Sequence, residues 1–155
     1  MKALFLTVYA GRPVVRLDRE KQALNSAGWE TETISLIRPT FTPIGNPIKR
    51  ALEVWAMTSR LVELATRMPT DGVREDIIIA HDLDTLPAGV RAARALGVPL
   101  IYDAHEDWPL MIRNNSWFES KLAKIIEEHN LRYVDHAVTA APMPRFEKLG
   151  VPTTV

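Results

Sequence analysis

Asp76-Ile-Ile-Ile-Ala-His81-Asp82 and, about twenty residues on, Pro99-Leu-Ile-Tyr-Asp103-Ala-His105-Glu106-Asp107 share one design. Each is a short apolar run that stops abruptly in histidine and carboxylates. A parallel strand buried on both faces reads as such a run, without alternation. The residues just past the C-terminal end of such strands lie where open α/β sheets bind ligands. Two neighbouring strands therefore deliver polar tips to one crevice.

The flanking sequence alternates strand and helix patterns. Residues 2–8 are mostly apolar and suit a central strand. Tyr9-Ala-Gly11-Arg12-Pro13 reads as a turn. A helix is expected from about Leu17 to Ala27, with Leu17, Ala23, Leu24 and Ala27 near one face and Gly28 as its stop. Residues 30–36 read as a second strand. Arg38 to Pro47 holds three prolines and Gly45, a loop, and Pro47 suits the first turn of a helix running to about Met68. Along that helix Lys49, Glu53, Arg60, Glu63 and Arg67 trace a polar face. Leu52, Trp55, Leu61, Val62 and Ala65 lie opposite.

Strand 76–80 is followed by a helix from about Thr85 to Leu96, stopped by Gly97, and by strand 98–103. Ser116 with Glu119 makes a capping box. It opens a long helix on which Leu122, Ile125, Ile126, His129 and Tyr133 recur at helical spacing. Residues 135–141 read as a last buried strand, and a short helix spans about Pro144–Leu149. Residues 151–155 look like the start of an extended segment. Alternating strands and helices imply a doubly wound parallel sheet of about five strands, Rossmann-like, with helices on both faces. One domain over 1–155 is expected.

Bulk composition narrows the function. Formal net charge is zero, so no basic field points to nucleic acid. The absence of cysteine removes disulfides, thiolate zinc sites and cysteine nucleophiles, and fits a reducing, cytoplasmic setting. The N-terminus reads as a first strand, not a signal segment.

Four ionisable groups in five residues, Asp103, His105, Glu106 and Asp107, are costly after an apolar strand unless paired or solvated. Their position at the ligand edge favours a site, and His81 and Asp82 share it. His81, Asp82, Asp84, Asp103, His105 and Asp107 offer nitrogen and oxygen ligands for a divalent ion. They meet no H-x-H, H-x-x-x-H or D-x-D-x-D spacing, so no metal and no resident cofactor are expected. No phosphate loop and no G-x-G-x-x-G is present. Gly11 would let a ligand approach the backbone, or is an ordinary turn glycine. Arg12, Arg16 and Arg19 are candidates for an anionic ligand, or belong to a solvent-exposed helix start. Glu119 and Glu127 form an E-x7-E, read here as a capping residue and a member of a solvated charge run. Helix 47–68, with Trp55 among basic residues, either packs on the sheet, as such helices more often do, or makes peripheral contact with an anionic membrane face.

Three segments resemble the N-terminal domain of family 4 GT-B glycosyltransferases. Leu17-Asp18-Arg19 with Ala23, Leu24 and Gly28 is similar to their opening helix, and Ile79-Ala-His81-Asp82 through Leu86 to their "H-D-x-x-x-L" turn. Pro99-Leu-Ile-Tyr-Asp103-Ala-His105-Glu106 is similar to their "P-x-I-Y-D-x-H-E" strand. The resemblance implies one lobe of a two-lobed enzyme, the acceptor side, with the donor lobe absent from this chain. It implies transfer of a sugar from a nucleotide-sugar to an acceptor hydroxyl, with retention. His105 and Glu106 are then the catalytic candidates. Gly11, Arg12, Arg19, His81, Asp82 and Asp103 are the binding candidates. The family's own E-x7-E belongs to the missing lobe. In many members the first loop carries two glycines, whereas here Gly11 is followed by Arg12-Pro13. The 155-residue chain alone is expected to be inactive. The alternatives are a stand-alone acceptor-binding subunit of a split enzyme and a metal-dependent hydrolase.

Overall fold

The computed structural model describes residues 1–9, 15–37, 47–67, 74–114 and 116–155. In chain order they form β1 (Lys2–Tyr9), α1 (Val15–Ser26), β2 (Glu30–Ile37), α2 (Pro47–Thr66), β3 (Ile77–His81) and α3 (Asp82–Leu96). Then follow β4 (Leu100–Ala104), α4 (Trp108–Ile112), α5 (Trp117–Leu131), β5 (His136–Thr139), α6 (Pro144–Lys148) and β6 (Thr153–Thr154). The strands pair in the order β2-β1-β3-β4-β5-β6, and every pairing is parallel. The expected Rossmann-like architecture is present. The sixth strand, β6, lies in the segment read only as extended; it pairs with β5 through Ala137–Thr153 and Val138–Thr154.

Strand register divides the apolar residues between two faces. Leu4, Leu6, Ile78, Ala80, Leu100 and Tyr102 belong to the larger core, which also takes Leu61 and Ala65 of α2, Leu86 and Val90 of α3, Leu131 of α5 and Phe146 of α6. The alternate residues Ala3, Phe5 and Ile79 join Leu17 of α1 in a smaller cluster. Helices thus cover both faces, unequally. α3 lies close on the sheet at Gly89, where a Cβ would stand 2.9 Å from the Ala80 side chain and 3.0 Å from that of Leu100. Glycine there lets α3 press onto β3 and β4.

Several local expectations change. α3 starts at Asp82, three residues before the expected Thr85. Asp82 takes a left-handed backbone (φ 62°), so strand passes into helix without a loop, and the Thr85 hydroxyl donates to the His81 carbonyl at 2.6 Å. The expected stop holds: Gly97 is left-handed and its N–H bonds to the Ala93 carbonyl. On α1 Leu17 is buried and Ala23 exposed. On α2 Leu61 and Ala65 are buried, but Trp55 is 62% exposed, because this helix meets the described core only from Met57 onward. The side chain of Leu52 lies outside the described residues. On α5 the expected apolar face is mostly turned out: Leu122 and Ile125 are exposed and Ile126 half-buried, Tyr133 is exposed just past the helix end, and Glu127 and Leu131 face inward.

Candidate functional site

β1 is flanked by β2 on one side and β3 on the other, so the sheet reverses its winding between β1 and β3. At such a switch point the flanking connections diverge and leave a crevice beyond the C-terminal strand ends. α1, which follows β1, supplies Arg16 and Glu20. His81 and Asp82 stand at the β3–α3 junction; Asp103 lies near the end of β4 and His105 just beyond it.

These side chains converge. His81 Nδ1 lies 2.9 Å from Asp103 Oδ2, and His81 Nε2 lies 3.2 Å from Glu20 Oε2. Arg16 donates to Asp103 Oδ1 at 2.5 Å and to Glu20 Oε1 at 2.8 Å. Two cations and two anions thus alternate in one ring. His105 Nε2 is 3.6 Å from Asp103 Oδ2, and the two imidazoles are 6.1 Å apart between centroids. Asp103 and His81 are buried, whereas His105 keeps 27% of its side-chain surface open.

Burial alone would push the His81 imidazole down. The Asp103 and Glu20 carboxylates outweigh it and hold the ring protonated, with its pKa raised to about 9. Burial likewise works to raise Glu20, but His81 and Arg16 bring its pKa below the ordinary value. Asp82 is shifted the other way, chiefly by burial; His105 pulls it down and Asp103 pushes it up. Its Oδ1 is buried without a hydrogen-bond partner. A non-glycine residue in the left-handed region carries about 1–3 kcal/mol of strain, a cost that clusters at functional sites.

His81, Asp103 and His105 offer ligand atoms within 4.8 Å of one another, a donor set a divalent cation can use. The Arg16 guanidinium and the His81 imidazolium already supply two positive charges to Asp103 and Glu20. That ring of four, Arg16, Glu20, His81 and Asp103, is charge-balanced as it stands.

Of the residues singled out in the sequence, His81, Asp82, Asp103 and His105 come together. Glu106 is exposed and stands outside the hydrogen-bonded cluster. Gly11 and Arg12 lie outside the described residues. Arg19 is exposed on α1; its neighbour Arg16 makes the contact to Asp103. Glu20 was missed. The available signal was the oppositely charged Arg16/Glu20 pair at i, i+4 flanking the buried Leu17.

The E-x7-E reading is half corrected. Ser116 accepts from the Glu119 N–H, one of the two bonds of a capping box, while the Ser116 N–H donates to the Ile112 carbonyl. Glu127, expected in a solvated run, is 0% exposed. It receives the Tyr102 hydroxyl at 3.1 Å and Arg145 of α6 at 2.8 Å, and Arg145 also pairs with Asp107. The partner that makes this burial tolerable comes from eighteen residues downstream, beyond the reach of a local pattern.

No known family profile matches the chain, and no curated protein sequence does. Among solved structures, a ugt transferase from Siraitia grosvenorii, determined in complex with UDP, matches with a TM-score of 0.56 at 10% sequence identity. The match covers 95% of this chain and 46% of that one. The fold is therefore a glycosyltransferase-like, Rossmann-type α/β fold, and the chain spans about half the length of the structure it matches.

Proposed function

We propose that this chain is the acceptor-side lobe of a retaining GT-B glycosyltransferase of family 4 type, moving a sugar from a nucleotide-sugar to an acceptor hydroxyl. The carrying observation is the His81–Asp103–His105 cluster on adjacent strand tips beside the switch point of the sheet. Likeness of fold to a glycosyltransferase solved with UDP supports the class.

In this reading the buried ring of Arg16, Glu20, His81 and Asp103 is a scaffold. It fixes the tip of β4, so that His105, half-open, meets the sugar in one orientation by hydrogen bonding. Glu106, exposed one residue on, is presented to the acceptor. Gly11 and Arg12, outside the described residues, are assigned by the resemblance in sequence to the anionic part of the donor. Arg19 is a lesser candidate for that role. The main diphosphate contacts belong to the second lobe.

The test uses the complete two-lobed enzyme, with labelled nucleotide-sugars and acceptor fractions from its own host. Sugar transfer is expected, and His105→Ala is expected to lower turnover by roughly tenfold or more while the melting temperature holds. The 155-residue chain alone is expected to fold and transfer nothing. A complete enzyme that neither binds nor turns over any nucleotide-sugar overturns the reading; unchanged turnover in His105→Ala removes that residue from the site.

A further inference from the structure

The outward face of α5 is apolar where a solvent-exposed helix face is ordinarily polar. Trp117, Phe118, Leu122 and Ile125 are 67%, 62%, 45% and 54% exposed, and with Lys121 they line one shallow groove. Leu110 and Met111 of the neighbouring α4 are exposed too. Residues at i, i+1, i+4, i+5 and i+8 share one side of a helix, so this is a continuous stripe. Because α5 leads from the end of β4 back to the start of β5, its first turns lie toward the ligand edge of the sheet.

Charge selects the occupant. On this face Arg113, Lys121 and Lys124 are exposed and Glu119 is half-buried; Lys124 is paired with Glu128 at 3.7 Å, which leaves Arg113 and Lys121 as the cations beside the apolar stripe. Lys121 lies within the stripe, its Nζ 5.1 Å from the centre of the Trp117 ring. In a dry protein interface that ammonium would lose its water without a matching anion, which is unfavourable. At a bilayer surface it reaches up to the lipid phosphates while the rings and aliphatic chains enter the acyl boundary. α2 is the weaker choice despite its exposed Trp55, because Arg60, Glu63 and Arg67 satisfy one another. Among the described residues no helix is long and apolar enough to cross a membrane, so contact would be along the surface.

We infer that the α4–α5 face docks this chain on an anionic phospholipid surface. The inference does not depend on the glycosyltransferase reading, since it is tested without turnover. The purified chain is sedimented with vesicles of phosphatidylcholine, with and without phosphatidylglycerol. Binding to the anionic vesicles, weakened by salt, is expected. Trp117→Ser with Phe118→Ser is expected to weaken it by about tenfold or more. Lys121→Glu with Lys124→Glu is expected to abolish the preference for anionic lipid, and serves as the readout if the first variant fails to fold. No sedimentation with anionic vesicles, equal sedimentation with neutral ones, or variants that bind as well as the parent would each overturn the inference. So would a concentration-dependent dimer, lost in Trp117→Ser/Phe118→Ser, in a chain that ignores vesicles; that result assigns the face to a second copy.

Discussion

His81 carries a testable sign. Its folded pKa is raised to about 9, against about 6.5 for a free imidazole. Its contribution is fully present below pH 6.5 and is lost as pH rises through 9. A shift of this size corresponds to ~3 kcal/mol. The melting temperature is expected to fall between pH 6.5 and 9, and His81→Gln is expected to flatten that slope. An unchanged slope in the variant would show that the imidazolium is not held by Asp103 and Glu20. Arg145 offers a second residue-level test. Without it Glu127, whose pKa burial already raises against the opposing pull of Arg145, is left in the core without its cation. Arg145→Met is expected to cost about 3 kcal/mol in urea unfolding, and adding Glu127→Gln is expected to recover part of it. Full stability in the single variant would mean that the pair contributes nothing.

At the scale of elements, the α3–sheet contact is set by one missing methyl group. Gly89→Ala is expected to destabilise by ~1–3 kcal/mol, since Ala80 and Leu100 stand within 3.0 Å of the new atom. A neutral result by thermal melting would show that α3 can shift outward. Elements were also the scale at which the sequence was most legible. β3 and β4 announce themselves as unbroken apolar runs because both of their faces are covered. Gly97 marks the end of α3 because only a left-handed residue closes it there. Legibility fails where the environment is supplied from afar. α5 reads as an inward apolar stripe, yet Glu127 takes the inside position because Tyr102 and Arg145 meet it. Asp82 reads as a polar tip, and nothing local signals that it starts the helix with a positive φ. Arg16 and Arg19 are near-equivalent in the sequence, and their separation depends on how α1 is rolled against β1 and β3.

For the whole molecule, the parallel sheet collects the tips of β3 and β4 at one edge, and the sequence states this plainly through the abrupt ends of two apolar runs. What it does not state is how the groups at that edge share charge. The proposed chemistry needs a rigid His105 on an otherwise neutral platform, and the Arg16–Glu20–His81–Asp103 ring supplies one. The proposed lipid contact starts from the same edge but on α4 and α5, so a sugar acceptor embedded in a bilayer would be met by the face that holds the bilayer.

A consequence follows from all strands running one way. The turns at 27–29, 97–99 and 132–135 fall at the opposite rim of the sheet, a full strand length from His81 and His105. That rim is the engineer's side of the molecule: a dye, a tether or a grafted peptide placed there rides on the fold without entering the chemistry.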